Sequence, residues 1–168
     1  LYFFAVATDI EANNYDKKIA AEEYKNKSKT LRGNDKKEDY FVNSAYNFSG
    51  NNQYISVIAS NLPRTSRTTS LWFKTSNPTY RGILFGYGGD GNCGNSYFAG
   101  TNHRGTGKLM VTGHCMYNET SVAYAPPANE WVHFVTTSSS SGTNVYVNGK
   151  LVATSNKQFN TIGSKLFI

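Results

Sequence analysis

From Tyr40 onward, apolar and polar residues alternate in short runs, the pattern of strands with one buried face. In Ser70-Leu71-Trp72-Phe73-Lys74, Leu71 and Phe73 fall on one side and Trp72 and Lys74 on the other. Runs of this kind predict strands over 44–48, 53–58, 68–75, 81–87, 96–101, 107–114, 120–124, 131–137, 143–148, 150–155 and a short one near 161–167. Turn-forming stretches separate them: Ser49 to Asn52, Gly88 to Asn92, Arg104 to Gly107, Pro126-Pro127 and Ser138 to Gly142. Between the last two long runs stands Asn148-Gly149, a pair that accepts the positive φ angles of a type I′ hairpin turn. Evenly spaced short strands without a long helix or an internal repeat predict an all-β sandwich or barrel.

The first forty residues differ. Residues 1–10 read as a first strand, and residues 11–40 as a charged insertion of Lys, Asp, Glu and Asn with a helix-prone stretch at 19–24. Leu1 to Ala7 is apolar and ends in the small-residue pattern of a signal-peptidase site, so a leader remains a second reading. The basic start and the longer apolar core of a leader are not present in it.

Composition adds a compartment and a charge. With 12 Tyr, 10 Phe, 15 Gly and few charged residues, the chain has the make-up of an extracellular or cell-surface β protein of one domain. The net charge of +6 lies wholly in residues 41–168, where nine bases face only Asp90, Glu119 and Glu130. That surplus suits anionic partners such as acidic polysaccharides or phosphates. The bases are scattered singly, which argues against nucleic acid. No run is long enough for a membrane-spanning helix.

Three phrases carry a resemblance. They are Asn43 to Gly50 followed by Gln53-Tyr54-Ile55-Ser56-Val57; Thr69 to Lys74; and Glu130-Trp131-Val132-His133-Phe134 with the hairpin from Val145 to Thr154. In this order and spacing they resemble the laminin-G-like branch of the concanavalin A-like lectin/glucanase jelly rolls. The resemblance implies an antiparallel jelly-roll β-sandwich with its core in 41–168. It also implies that the first strand lies beside the last. In the family, the phrase resembling Thr161 to Ser164 is followed by another turn and a final strand. Here the chain stops at Ile168, which predicts an unpaired groove beside strand one, filled either by a C-terminal piece absent from this sequence or by a strand from another copy.

Candidate chemistry is sparse. Glucanases of this shape need two carboxylates flanking the scissile bond. Asp90, Glu119 and Glu130 are far apart in sequence and fall on expected loops, and no Gly-x-Ser-x-Gly elbow is present, so no enzyme is expected. His133 reads as a packed strand residue beside Trp131, with His103 and His114 as ordinary hairpin residues. The resemblance implies one calcium at a loop edge. Asp90, Asn92 and Asn95 in the loop 88–95 are the candidate ligands, although a single carboxylate fits a plain flexible turn better. Cys93 and Cys115 flank the two strands of a hairpin turning near Gly105, close enough for a disulfide worth about 3 kcal/mol on the chain-entropy model; two buried thiols are the alternative. Asn26, Asn47 and Asn118 sit in glycosylation sequons, Asn118 being the best placed. Tyr80, Tyr87, Tyr97, Tyr117 and Tyr124 fall near strand ends, where aromatic rings could stack on sugar faces, although core packing accounts for at least half of them. Together these features predict a non-catalytic extracellular recognition or adhesion module for glycan or a cell-surface protein. The alternative is a structural subunit of a filament or sheath built by strand exchange between copies.

Overall fold

The computed structural model describes residues 2–6, 45–48, 53–59, 61–89, 94–116 and 119–168. The charged stretch expected over 11–40, with Asn26, lies outside the described residues. Twelve strands are described: β1 (Tyr2–Val6), β2 (Tyr46–Asn47), β3 (Ser56–Ile58), β4 (Arg67–Lys74), β5 (Ile83–Gly88), β6 (Ser96–Gly100), β7 (Met110–Thr112), β8 (Thr120–Ser121), β9 (Trp131–Ser139), β10 (Gly142–Val147), β11 (Lys150–Ser155) and β12 (Lys165–Phe167). They form two six-stranded antiparallel sheets. One, the β4 sheet, has the order β11-β10-β9-β4-β1-β2; the other, the β5 sheet, has the order β3-β12-β5-β6-β7-β8. This is the expected jelly-roll sandwich.

Alternation places the core. Leu71 and Phe73 of β4, Val132 and Phe134 of β9 and Val145 and Val147 of β10 are buried between the sheets, facing Leu84 and Phe85 of β5, Val111 of β7 and Leu109. Each fully buried side chain of this size contributes about 1.5–3 kcal/mol. The last hairpin is as expected: Val147 pairs with Lys150 across a two-residue loop in which Asn148 and Gly149 have φ of 49° and 78°.

The other end of the same interior is polar. Arg67 is buried at 7 % exposure, with its guanidinium 4.5 Å from the Tyr97 ring centroid and 5.4 Å from that of Tyr87. It donates to Thr161 Oγ1 at 2.5 Å, to the Phe159 carbonyl at 3.2 Å and to the Arg64 carbonyl. Burial lowers its pKa, opposed by the two tyrosines. The Tyr97 hydroxyl meets Thr136 Oγ1, and Ser138 Oγ lies 2.9 Å from Thr143 Oγ1.

Strand order corrects one expectation. β1 does not lie beside the last strand: it sits between β2 and β4, with Phe3 opposite Phe73 and Ala5 opposite Leu71. β12 lies in the other sheet, between β3 and β5, and its pairing with the β3 segment runs on from Ala59 to Ile55. The groove expected beside strand one is therefore closed on both edges. The long, apolar-alternating β4 offers β1 five ladder positions, which outweighs a three-residue β12.

Candidate functional site

Two surfaces have the makings of a site. The first is the outward face of the β4 sheet. Residues alternating with the core positions emerge there: Ser70, Trp72 and Lys74 from β4, and Trp131, His133 and Val135 from β9. Register sets Trp72 opposite His133 and Lys74 opposite Trp131, so the two indoles lie diagonally across neighbouring strands. Trp72 is 42 % exposed and Trp131 43 %. The His133 ring stacks on Trp72 at 4.7 Å and 14°, and its Nε2 lies 2.9 Å from Ser70 Oγ, which fixes the plane of the imidazole. Lys74 Nζ stands 5.3 Å from the Trp131 ring centroid, within cation–π range. The backbone of His133 is clamped from the hairpin: its N–H donates to Asn148 Oδ1 at 2.9 Å and its carbonyl accepts from Asn148 N at 2.8 Å.

Flat aromatic surface beside hydroxyl, imidazole and ammonium groups can stack on and hydrogen-bond a polyhydroxylated ligand. Ser70 and His133 also make the contact of a nucleophile with a base. Both sit mid-strand, where the backbone N–H groups serve the sheet ladder, and no acidic side chain is recorded on the imidazole among the described residues. The Oγ–Nε2 contact sets the imidazole plane that stacks on Trp72. His133 thus packs on a tryptophan, as expected of a strand residue, but on Trp72 across the sheet rather than on Trp131 of its own strand.

The second surface is a cleft of about 560 Å³ at the polar end of the sandwich, lined by residues that include Thr65, Ser139, Ser140, Asn156 and Gln158, with Lys157 as the one charged residue among the described residues of its lining. Gln158 Nε2 donates to the Ser140 carbonyl at 2.6 Å and Thr143 Oγ1 to the Lys157 carbonyl at 2.9 Å, so the walls are tied. Arg67, bonded to the Phe159 carbonyl, stiffens the wall from behind.

Of the loop 88–95, Gly88, Gly89, Gly94 and Asn95 are described, and Gly94 lines the cleft. Gly88 has φ of 119°, and a Cβ there would stand 2.3 Å from the Asn95 carbonyl oxygen, so only glycine lets the loop close so tightly. Of the three candidate calcium ligands, Asn95 is half-buried, and its carbonyl already accepts from Gly89 N at 3.1 Å and Ile162 N at 2.9 Å. Asp90 and Asn92 lie outside the described residues. Among the described residues, no group of three His, Cys, Asp or Glu could hold a metal.

The remaining sequence candidates are dispersed. Tyr80 is exposed and Tyr124 half-buried, whereas Tyr87 and Tyr97 lie in the core, in keeping with the reading that core packing claims part of this set. Their hydroxyls have partners inside, Tyr87 on the Pro63 carbonyl at 2.8 Å, so burial carries no unmet polar group. Tyr117, Asn118 and Cys93 lie outside the described residues. Asn47 is exposed on β2. Cys115 has φ of 59° in a single turn, and no described cysteine is free. Glu119 pairs with Arg104 at 3.4 Å, while Glu130 is exposed just ahead of β9. The two tryptophans were the residues to nominate: the alternation in β4 and β9 places them outward, beside Lys74 and His133.

Comparison with known proteins follows the same lines. A family model described as the concanavalin A-like lectin/glucanases superfamily, of laminin G type, matches residues 49–168. Domains LG4-5 of the mouse laminin alpha1 chain share the fold at 15% identity and a TM-score of 0.51 over 68% of this chain. The match spans 31% of that laminin structure. The carbohydrate binding module CBM66 from Bacillus subtilis is similar at 14% identity and a TM-score of 0.44, over 68% of this chain and 73% of that one. A search of curated proteins finds no match.

Proposed function

We propose, for a chain that belongs to the concanavalin A-like lectin/glucanase superfamily, that it is a non-catalytic extracellular recognition module whose ligand is a glycan. The observation that carries this reading is the pair of half-exposed indoles on one sheet face, Trp72 stacked on the His133 ring that contacts Ser70, and Trp131 beside Lys74. A pyranose ring presents an apolar face to such a platform and hydroxyls to its polar rim. The described carboxylates are ill placed for glycoside cleavage, with Glu119 in an ion pair and Glu130 beside β9, which supports binding over hydrolysis. An extracellular location accords with a disulfide between Cys93 and Cys115, which we place in the same proposal. No helix among the described residues is long and apolar enough to cross a membrane.

Affinity electrophoresis through a panel of soluble polysaccharides tests the reading. The double variant Trp72→Ala/Trp131→Ala should lose at least about tenfold in affinity, over 1 kcal/mol, while keeping its fold. Unchanged retention of the double variant would move the site elsewhere, with the cleft at Lys157 next in line. Repeating the titration with calcium and with chelator tests the separate expectation at Asp90, Asn92 and Asn95. Strand exchange between copies has lost the groove that motivated it, since β1 has a neighbour on each edge.

A further inference from the structure

Asn148-Gly149 does more than turn the chain. We propose that it is a site of spontaneous covalent modification, and that the folded hairpin holds the reaction in check. The electrophile is the side-chain amide carbon of Asn148; the nucleophile is the backbone nitrogen of Gly149. As that nitrogen bonds to Cγ, the Cγ–Nδ2 bond breaks, and the proton of the Gly149 N–H leaves with the departing ammonia. The result is a five-membered imide. Water then adds to either carbonyl of the imide and opens it to aspartate or to isoaspartate, whose backbone runs through the former side chain.

Accessibility favours the reaction. Asn148, Gly149 and Lys150 are all exposed, and a Cβ on Gly149 would meet nothing within 4 Å, so the turn stands open to water. The fold opposes it. Asn148 is fixed at φ of 49°, and its Oδ1 is held by the His133 N–H at 2.9 Å, which keeps the amide against β9. Reaction therefore waits on local opening of the hairpin, an event distinct from global unfolding.

The consequence reaches beyond the turn. Isoaspartate adds one methylene to a two-residue loop that has no room for it, so the Val147–Lys150 register is lost. The same change removes both clamps on the His133 backbone, and the His133 ring is the one stacked on Trp72. The modification is thus a one-way loosening of the aromatic face, whatever ligand that face takes.

The test uses the full chain, incubated at mildly alkaline pH both folded and in denaturant, with peptide mapping of isoaspartate at position 148. Conversion should be slower in the folded protein by on the order of tenfold or more. The modified folded fraction should lose hydrogen-exchange protection over 131–135 and 142–155. The variant N148D, which keeps an acceptor oxygen and an unextended backbone, should retain that protection. Three results would each overturn the proposal: no conversion even in denaturant, equal rates in the two states, or isoaspartate with the hairpin still protected. Loss of protection in N148D would overturn the part assigned to backbone length.

Discussion

β4 and β9 run side by side through the middle of one sheet, yet the two ends of their shared inner face are made of different material. At one end Leu71 faces Phe134 and Phe73 faces Val132; at the other Arg67 faces Ser138 and Thr69 faces Thr136. Both ends are dry: Phe134 and Thr136 are each fully buried. The apolar end is held by area removed from water and needs no orientation. The polar end is held by hydroxyl contacts and by the two terminal nitrogens of the guanidinium. Arg67 Nε is buried without a hydrogen-bond partner among the described residues, and each further mismatch there leaves another buried group unmet. Stability without direction lies at one end, and directed contacts lie at the end that borders the cleft.

Substitutions should separate the two ends. Phe134→Ala should cost most, about 3–5 kcal/mol in urea unfolding, because it opens a cavity among residues that cannot collapse. Arg67→Met keeps much of the side chain's volume while removing its donors, and should cost about 1.5–3 kcal/mol. A neutral or stabilised Arg67→Met protein would mean that desolvation of the charge outweighs its contacts, and the contrast between the ends would vanish. Tyr97→Phe should cost about 1 kcal/mol and carries a pH signature. Burial raises the Tyr97 pKa above its ordinary 10.0, so the phenol's contribution is complete below that pH. It is lost as the pH climbs past that value, where the unfolded chain ionises first. Unfolding midpoints across the alkaline range should therefore fall less steeply in Tyr97→Phe than in the parent. Trp72→Ala, on the outer face of the same strand, should change stability by less than about 1 kcal/mol, with its effect confined to ligand affinity.

The strands, their alternation and the hairpin at Asn148-Gly149 were legible in the sequence, because side-chain period and turn chemistry are local properties. The outward pairing of Trp72 with Lys74 was legible for the same reason, even though tyrosines drew the attention as ligand contacts. That Tyr87 and Tyr97 would be the buried ones was not legible, because a tyrosine is buried as readily as a phenylalanine once its hydroxyl has a partner. Those partners, the Pro63 carbonyl and Thr136, come from distant parts of the chain. The neighbours of β1 were beyond local pattern altogether: an alternating apolar strand fits beside several others, and register with β4 decides among them. The buried polar end went unseen because Thr, Ser and Arg in a strand read as a solvent-facing row.

The position of β4 also has a bearing on how the molecule comes together. β9, β10 and β11 pair with their sequence neighbours through tight turns and can zip locally. β4 must find β9 by joining residues 67–74 to 131–138, and β1 must find β4 by joining 2–6 to 70–74. High contact order of this kind places folding on the order of milliseconds to seconds. The strand that carries Trp72 is then a late arrival, and the two indoles share a surface only once the long-range half of the sheet has closed.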